Sequence, residues 1–367
     1  MPSAYRVITA APTEARDDLE RLWQANLTLE AHPADKFAWL YLEAPDAPDA
    51  VLVLTADGAR SAPPASASAG SSSAPPRASP VCSPISRSTR PTARSGPALA
   101  LVRAGKAFVD ESFALAYGFP NKLAEGVFKR AGYTPLGTIG RYAMPLRHAT
   151  FATRLDEQAL PQVPAAARAA LVRAAHTPVV AALAGRVIDA VQLGRAAPAT
   201  LAGLRRVALA ATPQPTAEFD ALWEAARGDY AVVAERTRRF VAWRFLPRPE
   251  RRVWTARARG DGALRAYAVV DLVDGVAHVR DLFGHKDDVI ALIANLPLRL
   301  YAAGASSLSM RYLGAPWLTD ALVARGLTPR ASTRMIAVTA GARCPAAARA
   351  LVTDATAWHL TDFDEDV

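Results

Sequence analysis

Cysteine is scarce: Cys82 and Cys344 stand far apart in a chain of 367 residues. Two are too few for a disulfide framework or a cysteine-rich zinc site, so a reduced, cytoplasmic protein is expected. No stretch approaches the ~18–20 apolar residues that a membrane-spanning helix needs. The opening MPSAYRVITA has no charged region followed by an apolar one, so it does not read as a secretory signal. Lysine is rare too; only Lys36, Lys106, Lys122, Lys129 and Lys286 occur among 43 basic residues. The arginines are dispersed, so a formal net charge of +9 comes without the basic face that nucleic acid requires. An anionic small molecule accounts for the excess equally well. No His/Cys/Asp spacing suggests a metal, and Ser306-Ser307 has no glycine elbow for nucleophilic chemistry.

What the chain does contain is an internal repeat. Leu22-Trp23 in LERLWQANL is echoed by Leu222-Trp223 in FDALWEAAR, and KFAWLYLEAP (36–45) by RRFVAWRFLPRP (238–249). Gly132-Tyr133-Thr134-Pro135 is echoed by Gly326-Leu327-Thr328-Pro329. Three echoes in the same order at nearly constant spacing indicate a duplicated domain.

Hydrophobic periodicity gives both halves one coarse pattern. In the first, 4–10 reads as a strand, 17–28 and 34–43 as helices, 50–56 as a strand, and 97–111 as a helix. Strand 113–119, helix 122–131 and a last strand 134–146 follow. The second half reads as strand 205–211, helices 217–227 and 234–245, and strands 252–258, 263–272 and 276–283. Helix 287–303, strand 306–312, helix 316–325 and strand 329–338 complete it. The Ala-rich stretch between them is helical, with Pro161, Pro164, Pro178 and Pro198 as breaks. The expected division is thus 1–148, a helical linker 149–204, 205–340, and a tail 341–367. The acidic end of that tail, TDFDEDV, reads as solvated.

The first half is short of two strands that the second has. In their place, 30 of the 36 residues from 60 to 95 are Ser, Pro, Ala or Arg. A long structureless insertion inside a compact domain is unexpected. GC-rich coding DNA read one base out of frame produces such a composition. Back-translated in the neighbouring frame, Pro84 to Thr89 reads towards Asp-Leu-Ala-Val-Asp, and Pro91 to Ser95 towards His-Arg-Ser-Leu. Arg60 to Ala67 permits the strand-like Val-Gly-Ala-Ala-Gly-Val-Gly. The first domain is therefore read as disrupted at 60–95 by a frameshift.

The restored string runs directly into Gly96-Pro97-Ala98-Leu99 and a helix. A diphosphate can sit against unpaired N–H groups at such a helix start, where the dipole also favours an anion. Gly96 lets the backbone approach closely, and Pro97 suits a first turn, where its missing N–H costs little. With Phe119-Pro120-Asn121-x-x-Ala124-x-x-x-Phe128-x-x-x-Gly132-Tyr133 downstream, the segment resembles the acyl-CoA site of the GNAT superfamily of N-acetyltransferases.

That resemblance implies a mixed α/β fold, here as two GNAT-like domains in tandem. It also implies acetyl-CoA or another acyl-CoA as cosubstrate and a small or cell-envelope-related amine as acceptor. The cofactor contacts it implies are Arg94, Ser95, Gly96, Pro97, Ala98, Leu99 and Asn121. Ala93 stands where the family carries arginine, with Arg94 adjacent. Phe128 replaces a tyrosine that in the family protonates the departing thiolate, so Tyr133, Tyr117 or Tyr142 is left to supply that proton. Trp39, Tyr41, Trp243 and Arg244 border the expected acceptor entrance as contacts or as core. Asp281 is either a general base, an amine anchor or an arginine's partner. Lys286-Asp287-Asp288 opens the matching helix of the second half with charge that repels pyrophosphate, so no cofactor is expected there. The alternative to an N-acyltransferase is a catalytically silent member that binds a ligand or protein between its halves.

Overall fold

The structure, a computed structural model, describes residues 5–26, 32–48, 51–56, 59–66, 79–80, 96–152 and 164–365. Arg94 and Ser95, and most of the Ser/Pro-rich stretch, lie outside the described residues.

The first half begins with β1 (Tyr5–Ala10), α1 (Arg16–Asn26), α2 (Pro33–Tyr41), β2 (Val51–Ala56), β3 (Ala59–Ser66) and β4 (Ser79–Pro80). It continues with α3 (Gly96–Ser112), β5 (Leu115–Gly118), α4 (Glu125–Arg130), β6 (Thr134–Thr138) and β7 (Gly140–Pro145). Helices α5 (Ala149–Ala152), α6 (Ala165–His176) and α7 (Pro178–Arg206) connect it to the second half. Pro178 opens α7, as the sequence suggests, but Pro198 lies inside that helix rather than ending it.

The second half repeats the order: β8 (Val207–Thr212), α8 (Glu218–Ala226), β9 (Val232–Val233), α9 (Arg238–Arg244), β10 (Arg251–Ala258), β11 (Leu264–Val273) and β12 (Val276–Gly284). Then come α10 (Lys286–Ala302), β13 (Ser307–Gly314), α11 (Pro316–Ala324), β14 (Thr328–Arg330) and β15 (Met335–Ala340). The chain closes with α12 (Ala346–Thr353) and β16 (Trp358–Leu360).

The echoed sequences fold alike because they bury the same stripe. In α1, Leu19 and Trp23 are buried, and in α8 Phe219, Leu222, Trp223 and Ala226 are, at the three- and four-residue spacing of one helix face. Strands β8, β10, β11 and β12 form an antiparallel meander, and β12 pairs in parallel with β13. In the first half β1, β2 and β3 are antiparallel, and β4 lies parallel to β5. Backbone pairing by Ala59–Ser66 thus stands where the second half has β11.

Each half gives its last strand to the other. The single strand expected over 134–146 is two: β6 stays, and β7 crosses to pair with β13 and β14. Likewise 329–338 divides into β14, which stays, and β15, which inserts between β5 and β6. Each sheet is completed by a strand from the other half, so neither can be removed without opening a strand edge.

A second correction concerns the C-terminus. The acidic end is buried, with Asp362, Asp364 and Glu365 at 7%, 4% and 2% exposure. Arginines scattered in sequence converge on it and compensate each carboxylate, which is why burial is tolerated.

Candidate functional site

The two halves place equivalent helix starts, α3 and α10, after equivalent strands, and the contrast between them defines the site. At α3, Gly96 is exposed, and among the described residues a Cβ built on it meets nothing within 4 Å. The first-turn N–H groups of Gly96 and Ala98 have no acceptor within the helix, and Pro97 has no N–H to leave unpaired. Ala98 and Leu99 are half-buried against a cluster containing Val102, Phe128, Tyr133 and Met335. That cluster fixes the direction in which the helix start faces.

At α10 the same position is filled from within. Asp288 in the first turn is 2% exposed, and its carboxylate accepts from Arg206 Nε at 2.5 Å and from Arg265 Nε at 3.3 Å. A resident anion, neutralised by two guanidinium groups, already uses the favourable end of that helix dipole.

Around α3, Asn121 is exposed, and its Oδ1 accepts the Ala124 N–H at 3.0 Å to fix the turn into α4. Tyr133 packs edge-on against Phe128, with ring centroids 5.0 Å apart. Burial, and then the charge of Asp110, push its phenol well above the usual range, so it keeps its proton. Tyr117 is buried on the opposite face of the sheet, beside Trp358 at 5.5 Å. Tyr142 travels with β7 into the second half's sheet, opposite Met310, and so leaves the first site.

The residues expected at the acceptor entrance are brought together, but mostly by one another. Trp39 of α2 and Trp243 of α9 stack at 5.1 Å. Trp39 Nε1 donates to the Trp243 carbonyl at 2.8 Å, and Trp243 Nε1 donates to that of Trp39 at 2.7 Å. This reciprocal pair joins the echoed helices through equivalent atoms. Tyr41 is buried and stacks on Trp23. Arg244 lies over the Trp39 ring at 5.2 Å and donates to the carbonyls of Phe363 and Asp362.

Asp281 does not face a groove. It is fully buried, accepting from Tyr267 Oη at 2.6 Å and from Thr361 Oγ1 at 2.7 Å, with Arg236 Nε at 3.5 Å. The partner-of-arginine reading is the one its surroundings satisfy; a base open to a substrate amine needs exposure that it lacks. Sequence reasoning missed the clustering of Arg236, Arg280, Arg311 and Arg334, because two strands, β12 and β13, and two connecting segments bring them together. The available signal was an acidic terminus on a strongly basic chain.

Among the described residues, no group of three or more His, Cys, Asp and Glu is placed to hold a metal ion. No single described helix is long and apolar enough to cross a membrane.

Neither a family model nor a curated relative matches the sequence. Solved structures do match the fold. One is a conserved protein of unknown function from Enterococcus faecalis V583, at TM-score 0.57 and 10% identity, covering 91% of this chain and 72% of that one. GCN5-related N-acetyltransferases from Anabaena variabilis and Kribbella flavida match at TM-scores 0.56 and 0.53, each with 11% identity. They cover 91% and 95% of this chain, and 72% and 73% of theirs.

Proposed function

We propose that this chain, which has the fold of the GCN5-related N-acetyltransferases, is an acyl-CoA-dependent N-acyltransferase whose cosubstrate binds in the first half. The observation that carries this reading is the open start of α3 set against the filled start of α10. N–H groups at Gly96 and Ala98 hold the cosubstrate's diphosphate, with Leu99 in the same turn, and the small residues Gly96 and Ala98 let it approach. Arg94 and Ser95 precede this turn and complete the contact in our reading, and Asn121 flanks it. An amine then attacks the thioester carbonyl, the C–N bond forms, and the C–S bond breaks to release the thiol. Tyr133, held protonated and 6% exposed in the cluster under α3, is our donor to the departing sulfur of a thioester that enters beside Phe128.

Because Asp281 is enclosed, the amine's proton passes to water or to another base. Trp39, Trp243 and Arg244 serve as the wall between the halves that limits acceptor size. Phe128 favours a second reading: a chain that binds acyl-CoA but no longer turns it over.

Calorimetric titration with acetyl-CoA, followed by assays of thiol release over an amine panel, tests both. Binding with turnover supports the enzyme; binding without turnover selects the second reading; absence of binding defeats both.

A further inference from the structure

Strands β12 and β13 pair only from Val276↔Ser307 to Val279↔Met310. Beyond that point the gap between them is filled by the chain's own C-terminal segment. β16 pairs with β13 through Leu313↔Leu360 and Gly314↔His359, and with β9 through Trp358↔Val232. On the β12 side, His359 Nε2 donates to the Leu282 carbonyl at 2.7 Å, and Thr361 Oγ1 donates to Asp281. The passage is cut to fit. Gly314 has φ +155°, and a Cβ there would lie 2.0 Å from the Trp358 carbonyl oxygen, so a side chain at 314 would block the segment.

Past Thr361 the gap becomes cationic. Asp362 sits between Arg280 at 2.9 Å and Arg311 at 2.6 Å. Asp364 accepts two bonds from Arg236, at 2.7 and 3.1 Å, while that guanidinium lies 3.8 Å from the centre of the Phe363 ring. Glu365 pairs with Arg311 at 2.7 Å and with Arg334. Arg244 supplies donors to the segment's main-chain carbonyls. An extended chain with main-chain pairing to strands, one stacked aromatic ring and a guanidinium for each carboxylate has the contacts of a bound peptide.

We propose that the gap between β12 and β13 is a recognition groove for an acidic peptide, occupied in cis by residues 358–365. The groove reads His-aliphatic-Thr-acid-aromatic-acid-acid, and the second half is thereby a binding module for its own terminus. This rests on the tail's contacts and is independent of acyl transfer.

The test severs the covalent tie after folding. A protease site inserted between Thr353 and Asp354, both exposed, allows the folded full chain to be cut there. The cut chain is expected to keep its circular-dichroism spectrum and to take up a fluorescein-labelled synthetic peptide of residues 354–367, read by anisotropy. The same peptide with Asp362→Asn and Asp364→Asn should bind at least about 10-fold more weakly, because guanidinium groups then face neutral partners. The uncut chain should capture neither. Unfolding on cleavage, failure to take up the peptide, equal binding of the Asn peptide, or capture by the uncut chain would each overturn the proposal.

Discussion

The starts of α3 and α10 occupy equivalent places in a duplicated fold and solve one electrostatic problem in opposite ways. Unpaired N–H groups at a helix N-terminus favour an anion. At α10 the chain supplies that anion itself, as Asp288 clamped by Arg206 and Arg265. At α3 the first residue is a glycine, with no atom of the other described residues within 4 Å of where its side chain would begin. The duplication preserved helix, strand and crossover, while the first turn of α10 carries its own buried anion and that of α3 does not.

The severest way to break the comparison is to strike the second half's internal occupant. Arg236→Met removes the guanidinium between Asp364 and Asp281, all three fully or nearly fully buried. Urea unfolding should show a loss of about 3–5 kcal/mol, the usual cost of stranding a buried charge. A loss below about 1 kcal/mol would mean that the tail is not anchored through this pair.

A comparable effect of opposite sign sharpens the first half. We hold that residues 60–95 are a misread frame, and DNA sequencing through codons 58–96 should reveal a continuous strand-like alternative. A frame-restored chain that buries two further aliphatic side chains should gain about 3–5 kcal/mol; no gain in the urea midpoint would contradict the reading.

Next, Asp288→Asn leaves Arg206 and Arg265 facing a neutral amide. It should cost about 1–3 kcal/mol without creating a second acetyl-CoA site in a calorimetric titration. A second site appearing would show that the carboxylate alone keeps α10 closed.

The smallest effect is a pH slope. Burial, and then the charge of Arg236, depress the His359 imidazole from 6.5 to about 4. Its neutral form donates to Leu282 within the tail's groove. The unfolded chain takes up a proton near pH 6.5 and the folded chain does not, so this contribution is complete above that pH. It declines towards pH 4 by about 1.4 kcal/mol per unit. Urea midpoints measured from pH 7 to 5 should fall less steeply in His359→Gln than in the unaltered chain, and equal slopes would remove His359 from the account.

Much of this architecture could be read from the sequence, because the signals were local. The Leu-Trp echo, the burial stripes of α1 and α8, and the strand over 50–56 all lie within short windows. The exchange of β7 and β15 left no such mark, since a last strand has the same period-two pattern whichever sheet receives it. The arginine clamp was equally hidden: Arg236, Arg280, Arg311 and Arg334 are neighbours only after folding. Asp281 shows the limit for the site, because an acid on a central strand reads alike whether it faces a cleft or a phenol. Gly96 and Asp288 were legible because first-turn chemistry is written in consecutive residues.

Gly96→Asp tests the central claim most directly, since it writes an acid into the first turn of α3, where no other described residue crowds a new side chain. Titration of the unaltered chain with acetyl-CoA should give one site per chain. The variant should retain its thermal midpoint while affinity falls by about 100-fold, as an anion is set against an anion at a helix start. Two sites in the unaltered chain, or unchanged affinity in the variant, would contradict the account.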